Sequence, residues 1–246
     1  MCRIAFVERH QGVSPELYEG VLEAVFTVLE LSNGGHGNGV AIPDRKGRIK
    51  IIKGVSYSPY QAAKDSANAS WVLFHTRLAT SGGIKDEMCH PFALGTWGAL
   101  AHNGIAIGKG TITESDTSAM TRVIAEEKGP DLDKIFEYLD RLDPGVVAIA
   151  LRGKRPRLWL YVGHNRCFVK SFVGPITIWA SEALAKDPEV IGPGLYELPS
   201  GIKLRELKWT PYSARRYTFG GWEWRWPRPK SQREKRSGED KEEDLF

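Results

Sequence analysis

Met1-Cys2-Arg3-Ile4-Ala5-Phe6 opens the chain. A cysteine stands directly behind the initiator methionine, at the head of a run that alternates apolar and basic as a half-buried strand does. Once the methionine is trimmed, Cys2 becomes the N-terminal residue and carries a thiol and a free amine together. An α-amine titrates near about pH 7.7–8.0, so at neutral pH a useful fraction is unprotonated and can take the thiol proton directly or through a water. The competing reading is a small buried cysteine in an edge strand. The residues that follow decide between them.

With 246 residues, the chain can hold one large domain or two small ones, and 41% hydrophobic content suffices for a packed core. No apolar run reaches the roughly 18 residues of a membrane span, and no basic lead-in precedes an apolar segment, so a cytoplasmic chain with no membrane partner is expected. The cysteines Cys2, Cys89 and Cys167 are odd in number and widely spaced. That spacing fits neither a disulfide framework nor a metal site, and reduced thiols are expected. The net charge of +4 is mild and comes mostly from the C-terminal end. It therefore says little about a partner.

After the opening strand, Ser14-Pro15-Glu16 has the order of an N-cap, a first-turn proline and a first-turn acid. A helix is predicted with Leu17, Val21, Leu22, Val25, Phe26 and Leu29 as its buried face, ending at Asn33-Gly34-Gly35. The glycine-dense loop 34–39 follows a helix and enters a strand, the reverse of a phosphate-binding loop, so a nucleotide site is not expected there. His36 in that loop reads as solvated. Residues 48–55 alternate as a strand and 58–68 read as a short helix.

Trp71-Val72-Leu73-Phe74 is then a continuously apolar strand that runs straight into His75-Thr76-Arg77-Leu78-Ala79-Thr80-Ser81. An arginine near the end of a buried strand must find an anion, from the protein or from a substrate. The next strand, 97–102, ends in Asn103-Gly104-Ile105. Asn-Gly is a common hairpin turn. It also suits an oxyanion hole, with an asparagine amide beside a glycine N–H that no Cβ obstructs. Asp116 reads either as a helix cap or as a site carboxylate. Helices are predicted through Met120 and over 132–142, and strands over 146–151, 158–162, 167–172, 176–180 and 203–207. This order suggests two sheets faced by helices, an α+β arrangement without internal repeats. Trp222, Trp224 and Trp226 read as an added strand or a partner-binding stripe. The mixed charges from 228 to 244 read as a disordered tail in which nucleic-acid binding is unlikely.

Cys2, His75-Thr76-Arg77, Ala79-Thr80, His90-Pro91, His102-Asn103-Gly104 and Ser115-Asp116-Thr117, in this order and spacing, resemble the class II glutamine amidotransferases, which are N-terminal nucleophile (Ntn) hydrolases. The resemblance continues into Ile178-Trp179-Ala180-Ser181-Glu182-Ala183-Leu184, which looks like the family's late strand-to-helix segment. Leu78, Ser81, Asn33 and His36 depart from residues common in the family.

The resemblance implies a four-layer αββα sandwich of Ntn-hydrolase type over 2–210, followed by a Trp-rich extension over 211–226 and the charged tail over 227–246. It implies hydrolysis of the glutamine side-chain amide through a Cys2 thioester, with no metal and no cofactor. Asn103 and Gly104 would hold the oxyanion. Arg77 would grip the glutamine α-carboxylate, Asp116 its α-ammonium, and Thr80 would add hydrogen bonds near the carboxylate. The partners expected are glutamine and a synthase subunit in trans, with a homo-oligomer left open. Two other readings stand beside it: hydrolysis of another γ-glutamyl amide or peptide, and an inactive glutamine-binding regulatory protein.

Overall fold

Side chains alternate across a strand, and here the alternation sorts each central strand between two apolar layers. In β1 (Arg3–Arg9), Ile4 and Phe6 pack into one cluster while Ala5 and Val7 pack into another. The computed structural model describes residues 2–106, 110–111, 113–153, 155–164 and 166–207, and the backbone of 217–219 and 222–224.

After β1 come α1 (Pro15–Asn33), β2 (Asn38–Pro43), β3 (Ile49–Gly54), α2 (Pro59–Ser66), β4 (Trp71–Thr76), β5 (Phe92–Leu94) and β6 (Gly98–Gly104). The chain continues with α3 (Asp116–Val123), α4 (Leu132–Leu142), β7 (Gly145–Leu151), β8 (Leu158–Val162), β9 (Phe168–Val173) and β10 (Ile176–Ala180). The last elements are β11 (Glu189–Ile191), β12 (Gly194–Leu198), β13 (Ile202–Arg205), β14 (Tyr217–Phe219) and β15 (Trp222–Trp224). One antiparallel sheet has the order β11-β9-β10-β1-β4-β2-β3 and the other β13-β12-β8-β7-β6-β5. The sheets meet through Ile4, Phe6, Trp71, Leu73, Ala99 and Ala101. On the first sheet's outer face, Tyr18, Leu22 and Phe26 of α1 cover Val7, Val72 and Phe74. On the second's, Met120 of α3 and Ile135 and Leu139 of α4 cover Leu100, Val147 and Ile149. This is the expected four-layer αββα sandwich.

Serine caps open three helices, the one at Ser14 as read from the sequence. Ser14, Ser58 and Ser115 each accept a backbone N–H at an N-cap, which satisfies a donor with no partner inside the helix. Elsewhere the structure corrects the sequence reading. The α1 face is rotated: Leu17 is 54% exposed, and Tyr18 is buried with its hydroxyl donating to the Val7 carbonyl at 2.9 Å. Among the described residues no helix follows β10, where the resemblance implied one; Asp187 sits at φ 54 directly before Pro188, and a proline disfavours the helical region for the residue before it. Strand β1 lies in mid-sheet, not at an edge, paired to β10 and β4. Strands β14 and β15 pair with each other in a ladder separate from both main sheets. Trp226 and the whole tail 227–246 lie outside the described residues. Among the described residues, no helix is long and apolar enough to cross a membrane.

Candidate active site

The alternation that builds the core also aims the predicted site residues. In β1 the even positions Ile4 and Phe6 face the other sheet, so Cys2, one step before the strand, shares that face. In β6 the odd positions Ala99 and Ala101 face the first sheet, and Asn103 extends their row. Strand β4 runs antiparallel to β1 with Arg3 opposite Thr76, which sets the start of β1 beside the end of β4. The His75 Nε2–H donates to the His102 carbonyl at 3.0 Å, tying the end of β4 to the end of β6 across the seam. Thus one mouth of the sandwich collects Cys2, Arg77 and Asn103-Gly104.

The Cys2 sulfur lies between the two polar groups of one residue: the Leu78 N–H donates to Sγ at 3.3 Å and Sγ lies 3.6 Å from the Leu78 carbonyl. Both contacts are to backbone, so a leucine where the family often has an aromatic residue leaves them intact. Burial pushes the Cys2 thiol up, opposed by the Leu78 hydrogen bond and by Arg77, while Asp116 adds to the rise. Both charged side chains are therefore within electrostatic reach of the sulfur. Forming a thiolate there costs more than in water, so a nearby base is needed.

Arg77 is only 3% exposed. Its Nη1 donates to the Gly83 carbonyl and its Nη2 to the Ser81 carbonyl, both at 2.6 Å, which uses two of the five guanidinium N–H groups. No acid pairs with it among the described residues. A buried cation with only carbonyl partners is one for which an anion would be stabilising.

Asn103 and Gly104 lie within β6, paired to Val146 and Gly145 of β7, and do not form a hairpin turn. A Cβ on Gly104 would collide with the Pro144 carbonyl, so this close approach requires glycine. Asn103 is buried, and its Oδ1 has no hydrogen-bond partner. Ser115 supplies the α3 cap by accepting from Ser118 N at 3.1 Å, which frees Asp116 from that role. Asp116 instead accepts from Ala106 N (2.8 Å) and Thr117 N (2.9 Å). His102, on the opposite face of β6 from Asn103, makes Nδ1···Thr117 Oγ1 (2.8 Å) and Nε2–H···Pro144 O (2.9 Å) contacts. It joins the Asn-Gly pair, the start of α3 and the start of β7.

An open cavity of about 950 Å³ lies at this mouth, with His36, Thr80, Ser81, Ile84, Ile105 and Asp116 among its walls. Of the six residues singled out from sequence, Thr80 and Asp116 line it, while Cys2, Arg77, Asn103 and Gly104 are not among the lining residues. Arg77 nevertheless holds the 81–83 loop that forms one wall. His36 was misread as solvated: its Nδ1 accepts from Ala79 N at 2.9 Å, while its backbone N–H donates to the Arg77 carbonyl at 2.9 Å. The glycine spacing was the available signal, since a Cβ on Gly37 would run into Cys89 Sγ and so marks a loop packed tightly against the site. Among the described residues no group of histidines, cysteines and acids could hold a metal ion.

No protein-family model and no curated protein sequence matches the chain. Solved structures do. An allosteric regulatory enzyme of purine biosynthesis superposes with TM-score 0.61 at 20% identity over 85% of this chain. A glutamine phosphoribosylpyrophosphate amidotransferase from B. subtilis, complexed with ADP and GMP, gives TM-score 0.57 at 20% identity over 85%. The chain spans 50% of the length of each. A glutamine aminotransferase class-II domain protein from Silicibacter pomeroyi gives 0.48 at 14% identity, over 84% of this chain and 100% of that one. The chain therefore shares the αββα sandwich fold of the allosteric regulatory enzyme and the glutamine phosphoribosylpyrophosphate amidotransferase on which it superposes.

Proposed function

We propose that the chain is a class II glutamine amidotransferase domain that hydrolyses the glutamine side-chain amide and supplies ammonia to a partner synthase. The observation that carries this reading is Arg77, a buried cation without an acid partner, within electrostatic reach of the Cys2 thiol. A free amino acid has the complementary anion in its α-carboxylate, and the bidentate fork of arginine fits it. Asp116 takes the α-ammonium and Thr80 adds hydrogen bonds near the carboxylate.

With Met1 removed, the Cys2 amine accepts the thiol proton as sulfur attacks the amide carbon. Asn103 and the Gly104 N–H hold the tetrahedral oxyanion. The ammonium of Cys2 then protonates the departing nitrogen, and ammonia leaves a γ-glutamyl thioester. Water, deprotonated by the same amine, cleaves the thioester to glutamate and restores the thiol.

A second substrate class has a specific observation behind it. About 950 Å³ is near the top of the range for drug-sized ligands and generous for one amino acid, and Ile84 and Ile105 stand exposed on its wall. Larger γ-glutamyl amides are thus compatible with the same clamp and nucleophile. The test combines intact-mass measurement with ammonia release. The expected result is loss of Met1, ammonia from glutamine with the wild type, and none with Cys2→Ala. Retained Met1, or equal release by both proteins, overturns the proposal. Faster turnover of γ-glutamyl dipeptides than of glutamine would select the second substrate class.

A further inference from the structure

The seam between the sheets has a second mouth. Strand β1 carries Cys2 at one end and Glu8 at the other, and Glu8 keeps the even-numbered register that faces the opposing sheet. At this far end the turn between β7 and β8 carries Arg152-Gly153-Lys154-Arg155-Pro156-Arg157, four cations in six residues. The site uses none of them. Lys154 lies outside the described residues. Arg152, Arg155 and Arg157 line an open cleft of about 830 Å³, joined from the first sheet by Lys170, His10 and Phe172.

Clustered like charges on a turn work against folding, and a β-hairpin turn needs no cation to form. Only part of this charge is neutralised within the chain. Arg157 pairs with Glu197 at 2.9 Å and Lys170 with Glu189 at 3.5 Å. The second carboxylate in the cleft, Glu8, lies 3.8 Å from His10, and burial pushes its carboxyl up. Neither Arg152 nor Arg155 has an ion pair among the described residues. On a convex turn such arginines would be solvated surface charge. Here they line a concave wall opposite Lys170, where fields from several cations add. Phe172, 60% exposed, supplies an aromatic face on the same wall.

We propose that this far mouth is a binding site for a small phosphorylated molecule, with Arg152 and Arg155 gripping phosphate oxygens through their planar forks and Phe172 available to stack a ring. The volume, within the range of small-ligand pockets, suits one such molecule. The site is independent of the glutaminase proposal, because it lies at the other end of the strands that carry Cys2 and Arg77.

Titration calorimetry of the full chain with inorganic tripolyphosphate and with a ribonucleoside triphosphate tests the site. Both probes are expected to bind, more weakly as salt rises. The double variant Arg152→Ser/Arg155→Ser should weaken both at least about tenfold, the loss of one or more charge-assisted contacts, while its melting temperature and its reaction at Cys2 stay unchanged. A nucleotide that binds more tightly than tripolyphosphate, with Phe172→Ala erasing the difference, identifies a ring-bearing ligand. Equal affinity identifies the phosphates alone as the recognised part. Absence of binding by both probes, or unchanged affinity in the double variant, overturns the site.

Discussion

Arg77 is decisive at the residue scale, because the low-dielectric interior magnifies both its attraction for an anion and the cost of leaving it unpaired. Arg77→Lys keeps the charge but loses the fork that donates to Ser81 and Gly83 and leaves further N–H groups for a carboxylate. The expected result is kcat/KM for glutamine lowered on the order of 100-fold, mostly through KM, since the α-carboxylate is bound in ground and transition states alike. Asn103→Ala should act on the other parameter, lowering kcat about 100- to 1,000-fold with KM little changed, as an oxyanion donor does. Steady-state kinetics that place both losses in KM would remove Asn103 from the oxyanion role. These residues were legible in the sequence because chemistry at a core strand's end is conspicuous: a cation after Trp71-Val72-Leu73-Phe74 has few bland explanations. His36 was not, because its role depends on a hydrogen bond to Ala79, 43 positions away, and no local pattern encodes that distance.

At the scale of elements, the site is held by the joint between β6, α3 and β7. His102 makes that joint through Thr117 and Pro144. His102→Leu removes both contacts, but the Pro144 carbonyl keeps the Ile105 N–H at 3.0 Å and the Thr117 hydroxyl keeps Asp116 Oδ1 at 3.5 Å, so a total cost of about 1–3 kcal/mol is expected. Melting should shift down accordingly, and kcat/KM measured well below the melting temperature should fall as Asp116 and Asn103 lose their common anchor. Unchanged kinetics in a folded, destabilised variant would reduce His102 to a core residue. Gly104→Ala drives a methyl into the Pro144 carbonyl and is expected to destabilise by about 1–3 kcal/mol or more, read by denaturant midpoint. Strands with several alternating or continuously apolar residues, such as β4, β7, β8 and β10, were legible from the sequence alone. The three-residue strands β5 and β11 were not, because they are shorter than one full cycle of any usable pattern and are set by their neighbours' ladders. The helix after β10 that the resemblance implied is absent from the described residues, where Pro188 disfavours the helical region for the residue before it.

At the scale of the whole molecule, the two sheets are tied near the site by the His75 ring on the His102 carbonyl, and three buried histidines around that tie make the sandwich sensitive to acid. His75 lies on β4 and packs tilted against His90 with ring centroids 3.9 Å apart, and it bonds the carbonyl of His102 on β6. Burial holds His75 down to about 3 and keeps His90 and His102 below their ordinary value, with Arg77 and Lys53 also opposing charge on His75 and His90. Asp116 pulls His102 the other way without reversing the direction. Above about pH 6.5 neither the folded nor the unfolded chain protonates these rings, so they add no pH dependence. Below it the unfolded histidines bind more protons than the folded ones, so stability falls as pH drops, for His75 down to about 3. His75 alone contributes up to about 1.4 kcal/mol per pH unit across that window, a sizeable part of a typical stability of about 5–15 kcal/mol, and the lowering of His90 and His102 acts in the same direction. Urea midpoints at pH 7.5, 6.0 and 5.0 should show a decline that begins near 6.5, and His90→Phe, which keeps a ring between His75 and Phe92, should make that decline shallower. A midpoint that stays level from pH 7.5 to 5.0 would mean that the histidines take up protons in place. In that case the seam that carries Cys2 and Asn103 is wetter, and held together less by these rings, than the packing of His75 on His90 requires.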